Sequence, residues 1–243
     1  MLDQIFRNMQ PVVKNLLIIN VLMLVAQYAI PWVNDNLALY PFQSEAFRPW
    51  QLVTHFFMHS TQSITHLLFN MFALVMFGSH LERVWGHERF LLFYFVSALG
   101  AALLHGLVVY LRVESLVATM NPEVVDYVFQ NGSELFARGS NYIDPDMGVL
   151  NGMLNTPMVG ASGAVFGILA GFAYLFPNTE LMLMFPPIPI KAKWFVLGYA
   201  AIELYLGFAN NPYDNVAHFA HLGGALFGFI LVYYWQKKKD RFY

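Results

Sequence analysis

The segment "PMVGASGAVFGILAGF", residues 157–172, sets a single hydroxyl, Ser162, in an apolar run punctuated by glycine. A run this greasy belongs in a protein core or in a bilayer, and composition decides between them. Of 243 residues, 58% are hydrophobic and 12% charged. Soluble domains carry about 25% charged residues. Water cannot accommodate so much apolar surface, so lipid must cover it, and the expected fold class is all-α and polytopic. The net charge of −2 gives no reason to expect nucleic acid as a partner. The absence of cysteine excludes disulfides, thiolate metal sites and cysteine nucleophiles together.

A membrane-crossing helix needs roughly 20 mostly apolar residues. Six segments qualify, at about 13–33, 64–82, 90–111, 158–176, 192–209 and 216–235, and we read residues 1–243 as one six-span domain. The first run follows Arg7 and Lys14 and is too long for a signal-peptide core, so it is expected to be retained as a span. With a cytoplasmic N-terminus, one side collects ten of the thirteen Lys and Arg residues and the other only Arg48, Arg112 and Arg138. Basic loops stay inside. The expectation is a multi-pass protein of the cell membrane with both termini cytoplasmic. The outer loop 34–63, with Phe47, Trp50, Phe56 and Phe57, suits the membrane interface. The outer loop 112–157 is acidic, and its Asn131–Gly132 and Asp144–Pro145 pairs predict a solvated connection. The inner stretch "FPPIPIKAKW" (185–194) predicts a proline-stiffened turn.

This topology sets unusual polar residues at one depth. Ser162 starts the fourth span at its outer end. His66 and Asn70, four apart, share a face of the second span in its outer half. His218 and His221 open the sixth. Polar side chains inside a membrane are costly unless they face the bundle interior, so they are functional candidates. Serine alone is also a packing residue, because small residues four apart let helices approach closely. Gly163, Gly167 and Gly171 form such a stripe, and Ala220, Gly224 and Gly228 form another. The two stripes predict contact between the fourth and sixth helices, which would bring Ser162 toward His221. Serine needs a base to become a nucleophile, and imidazole titrates near neutral pH. The oxyanion of an acyl-transfer intermediate needs donors. The Ser162 backbone N–H, His66 and Asn70 are candidates. Phe166, one turn after Ser162, can stack on the imidazole. Asp214 is too near the water boundary to complete a triad, so the expectation is a Ser162–His221 dyad.

These residues resemble the rhomboid family of intramembrane serine proteases. "GASG" (160–163) is similar to the family's G-x-S-G motif, "AHLGGALFG" (220–228) to A-H-x-x-G-x-x-x-G, and "HLLFN" (66–70) to H-x-x-x-N. The resemblance runs from about residue 48 to 235 and includes the helix count. It implies a six-transmembrane-helix rhomboid-like bundle, with Ser162 as nucleophile, His221 as general base and His66 and Asn70 beside the oxyanion. Gly160, Gly163, Phe166 and Gly224 would support the site. The implied partners are transmembrane protein substrates within the lipid bilayer, with no cofactor. Three departures stand out. Trp50–Gln51, with Arg48 nearby, replaces the Trp-Arg pair of many members. Phe166 replaces a tyrosine found in some. The loop 112–157 is longer than the family needs.

Other polar residues are read more plainly. His55 and His59 lie one helical turn apart, a spacing that also suits metal ligands. With His66, His218 and His221 a zinc site is conceivable, but no H-E-x-x-H accompanies them, and no metal is expected. Glu203 is the one acid near the middle of a span. Its expected role is a hydrogen bond to a neighbouring helix, with an ion path as the alternative. A proton- or metal-linked transporter using the histidines and Glu203, or an inactive rhomboid-like chaperone, would be the alternatives to a protease.

Overall fold

Proline opens four of the helices in the computed structural model, which describes residues 9–182, 187–209 and 216–239. Pro11, Pro31, Pro122 and Pro145 each stand in a first turn, where the missing N–H costs no hydrogen bond. The described elements are α1 (Pro11–Ala29), α2 (Pro31–Leu37), α3 (Gln51–Thr54) with a 3₁₀ turn at His55–Phe57, and α4 (Ile64–Ala73). A π-helical turn at Leu74–Gly78 leads into α5 (Ser79–Trp85), followed by α6 (His87–Val117), α7 (Pro122–Ala137), α8 (Pro145–Asn155) and α9 (Ser162–Leu175). Two short antiparallel strands, β1 (Glu180–Met182) and β2 (Pro189–Lys191), precede α10 (Ala192–Ala209) and α11 (His218–Lys239).

A helix occupies each of the six apolar segments. Among the described residues, Pro11–Ala29, Ile64–Trp85 and His87–Val117 are long and apolar enough to cross a membrane. Leu22, Tyr205 and Phe208 are 61%, 73% and 72% exposed, as lipid-facing side chains should be. The chain is a polytopic helical membrane protein.

The fourth segment differs from the others. Helix α9 has 14 residues, about 21 Å of rise, against roughly 30 Å of hydrocarbon. Gly163 through Ala173 are buried without interruption, so α9 is the central post of the bundle and meets protein on every side. Its contact with α11 is backbone to backbone: a Cβ at Gly224 would overlap the Gly163 carbonyl, and one at Gly228 would sit 2.8 Å from Gly167 Cα. The non-helical residues before α9 are sheltered, as membrane-depth backbone must be. Met158 and Leu39 exchange N–H···O bonds of 2.8 and 3.0 Å, and the Gly160 N–H donates to the His55 carbonyl over 3.0 Å. The connection between α2 and α4 thus holds the approach to Ser162.

Two buried polar groups lock that frame. The Glu82 carboxylate accepts the Val12 and Val13 N–H groups at the start of α1 (2.9 and 2.8 Å) and the His87 Nδ1–H (2.7 Å). A negative charge is stabilising at a helix N-terminus. In the outer loop, the buried Gln51 Oε1 accepts from Arg48 N, and its Nε2 donates to the Ala46 carbonyl, both over 3.0 Å. Trp50 Nε1–H donates to the Asn36 carbonyl over 3.0 Å. Gln51 therefore ties this loop together through its amide.

Two local expectations need correction. The region 112–157 is not a simple solvated connection: α6 continues to Val117, and α7 and α8 form a hairpin over a small core of Val113, Val125, Val128, Leu150 and Leu154. Asn131–Gly132 lies inside α7, and Asp144 caps α8 by accepting the Met147 N–H over 3.0 Å. The inner proline stretch contributes strand β2 rather than a turn alone; Phe185 and Pro186 lie outside the described residues, as does Asp214.

Candidate active site

Three helices converge on the N-terminal end of α9. Ser162 is its first residue, so its backbone N–H belongs to the first turn, where such groups have no intrahelical acceptor. Across the glycine contact, α11 presents His221 one turn from its start. His221 Nε2 lies 2.9 Å from Ser162 Oγ. The Phe166 ring, one turn along α9, stacks flat on the imidazole, with centroids 4.2 Å apart and planes 4° from parallel. Tyr199 of α10 also packs against Phe166, with ring centroids 4.7 Å apart.

His66 approaches from α4. Its Nδ1 accepts the Ser60 backbone N–H over 3.2 Å, which fixes a neutral ring with its proton on Nε2, a donor. That edge faces Gly160, where φ is +130° and a Cβ would stand 2.8 Å from His66 Cε1. Both the backbone angle and the close ring demand glycine at this position. Asn70 Nδ2 donates one hydrogen to the His66 carbonyl over 2.7 Å, and an amide carries a second. Gly163 and Gly224 form the helix crossing described above. The structure thus gathers Ser162, His221, His66, Asn70, Gly160 and Phe166 around one point.

That point lies in a cavity of about 1480 Å³. Its walls include Ser162, His221, His66 and Asn70, then Phe69 of α4 and Leu206 of α10, and from the helical hairpin Gly148, Val149 and Met153 of α8. Arg112 Nη2–H donates to the Gly207 carbonyl over 2.8 Å and ties the base of the hairpin to α10.

The sequence reading expected Glu203 to bond to a neighbouring helix, and that helix is α11. Glu203 of α10, 4% exposed, accepts the His218 Nδ1–H at 2.6 Å. The same oxygen lies 3.0 Å from His221 Nδ1, at an angle too oblique for a straight hydrogen bond. Its signal in the sequence was its standing as the lone mid-span acid. Glu203, His218 and His221 place one donor atom each within 4.8 Å of one another, a set that could in principle hold a metal. Ligands about 2.0 Å from a tetrahedral zinc stand about 3.3 Å apart. The 2.6 Å hydrogen bond and the 3.0 Å polar contact are both shorter than that.

His55 and His59 are placed elsewhere. Both are 1% exposed. His55 Nδ1–H donates to the Gln51 carbonyl at 2.7 Å, and His59 Nε2–H to Asn20 Oδ1 at 2.8 Å. Burial drives His55 down to about 4, against the opposing pull of the Gln51 carbonyl. Burial, reinforced by His66, drives His59 down to about 3. These are neutral braces of the connection between α2 and α4.

The pattern described as Rhomboid domain matches residues 46–238. The chain belongs to the rhomboid family. Among relatives, this rhomboid is 28% identical over 196 residues to the putative rhomboid protease YdcA of Bacillus subtilis, covering 80% of this chain and 71% of that protein. It is 28% identical over 189 residues to the rhomboid protease AarA of Providencia stuartii, covering 75% and 54%. The mitochondrial rhomboid protein 1 of Saccharomyces cerevisiae is 26% identical over 182 residues, covering 75% of this chain and 41% of the yeast protein. The chain thus spans less than half the length of the yeast relative it matches.

Proposed function

We propose that this rhomboid is an intramembrane serine endopeptidase that cuts peptide bonds in or near transmembrane segments of other membrane proteins. The observation that carries the reading is the 2.9 Å contact between His221 Nε2 and Ser162 Oγ, held by a ring stacked behind the imidazole. In the proposed sequence His221 takes the Ser162 hydroxyl proton as the oxygen attacks a substrate carbonyl. The Ser162 N–H, His66 Nε2–H and the second Asn70 hydrogen face the resulting oxyanion. His221 then returns the proton to the leaving amine, and water repeats the cycle on the acyl-enzyme. A helix shields its carbonyls, so substrate segments weakened by glycine or proline should be preferred. The same reading puts the protein in the cell membrane with both termini cytoplasmic, on the side that carries ten of its thirteen basic residues.

The test uses purified protein in micelles with a single-span substrate. Ser162→Ala should abolish cleavage, and a fluorophosphonate should label the parent but not the variant. Cleavage that survives in Ser162→Ala, or that a chelator removes, refutes the proposal.

A further inference from the structure

We infer that Glu203 is a positioning residue for His221, so that this protein works with a Ser162–His221–Glu203 relay rather than a bare dyad. The inference rests on the protease reading and adds a residue to it. It starts from proton placement. For His221 Nε2 to accept the Ser162 hydroxyl proton, the neutral ring must carry its own proton on Nδ1. That Nδ1 is buried and lacks a well-aligned partner, which is costly for a donor in a low-dielectric interior. The acceptor next to it is Glu203 Oε2, 3.0 Å away. Catalytic hydrogen bonds are often misaligned before substrate binds and tighten in the reacting complex.

The carboxylate is itself held. His218 Nδ1–H donates to the same oxygen at 2.6 Å, and Glu203 is buried from solvent on α10. Helix α10 also carries Tyr199 against Phe166. The imidazole is therefore gripped through its face from α9 and through its Nδ1 edge from α10. In the relay the Ser162 proton passes to His221 Nε2, the Nδ1–H stays on the ring, and Glu203 remains a carboxylate throughout. Its charge stabilises the imidazolium while that cation exists and holds the tautomer that can accept again. When the intermediate collapses, the Nε2 proton leaves with the amine and the ring returns to its starting form.

The experiment compares the parent with Glu203→Gln, Glu203→Asp and Ser162→Ala in the same micelles, on a single-span substrate, with thermal midpoints recorded beside the kinetics. Gln keeps the volume but removes the charge and presents an amide of either polarity to two imidazoles. We expect kcat to fall at least about 30-fold with KM within about threefold, and fluorophosphonate labelling of Ser162 to slow in parallel. Glu203→Asp, which keeps the charge one methylene shorter, should recover most of that loss. A merely structural acid would instead lower the midpoint and move KM and kcat together, with no rescue by Asp. A Gln variant that folds and turns over within threefold of the parent overturns the inference. So does a parent whose activity is lost to a chelator and restored by zinc, which would give the three side chains to a metal. Cleavage persisting in Ser162→Ala removes the protease reading itself, whatever the Glu203 variants do. Should Gln fail to fold, the Asp variant and His218→Gln, which frees one side of the carboxylate, supply the comparison: the inference requires a selective fall in kcat in both, smaller for Asp.

Discussion

At the scale of single residues, the sequence reading reached the side chains whose neighbours lie on their own helix. Ser162 with Phe166 and His66 with Asn70 are each four apart, and helical periodicity alone puts them on one face. The bond of Glu203 to a neighbouring helix was legible, but not its approach to His221, which depends on the rotation of α10 about its axis. No short-range spacing fixes that angle. The outer-loop histidines carry a pH consequence. His55 and His59 are held at about 4 and about 3, below the ~6.5 of an unfolded histidine. The unfolded chain thus binds protons that the folded one refuses. Their contribution to stability is complete above about pH 6.5 and is lost as pH falls through the window down to 4 and then 3. The thermal midpoint in micelles should drop between pH 7.5 and 4.5. His59→Gln keeps a donor toward Asn20 but cannot titrate, so its midpoint should fall less. Equal drops in parent and variant would count against the assignment.

At the scale of elements, the glycine stripes foretold that α9 meets α11, because small residues one turn apart leave no other reason for close approach. The α7–α8 hairpin was hidden by composition: its acidic, Asn- and Gly-containing surface reads as loop. The usable signals were Asn121–Pro122 and Asp144–Pro145, each a capping side chain followed by proline. Gly132 is the hinge of that packing, since a Cβ there would collide with Asn151 Oδ1. Asn151 in turn donates to Asn141 Oδ1 over 2.9 Å and accepts from Asn155 Nδ2 over 2.7 Å. Gly132→Leu should push α7 off α8 and disturb the cavity wall that α8 supplies. We expect KM for a single-span substrate to rise about three- to tenfold, while labelling of Ser162 by a small fluorophosphonate stays within about twofold. An unchanged KM, or lost labelling in a folded variant, would separate the hairpin from substrate binding.

At the scale of the molecule, the apolar fraction and the six runs were enough for a polytopic bundle, since continuous apolar runs of this length satisfy their backbone groups in lipid as helices, whereas barrel strands are shorter and alternate. Span lengths were less legible. Hydropathy does not distinguish a run facing lipid from one sheathed in protein, so α9 was expected longer than it is and α6 shorter. The proposed orientation has a direct check. A protease site inserted at the exposed Gly139, between α7 and α8, should be cut from outside intact cells, while tags on either terminus survive until the membrane is opened. Early loss of a terminal tag would reverse the topology. The shortness of α9 has one more consequence. Its rise falls about 9 Å short of the hydrocarbon thickness, and its first residue, Ser162, lines the cavity of about 1480 Å³. Under the protease proposal, that cavity would hold the hydrolytic reagent without a conduit threaded through the bundle, and two more turns before Ser162 would fill it.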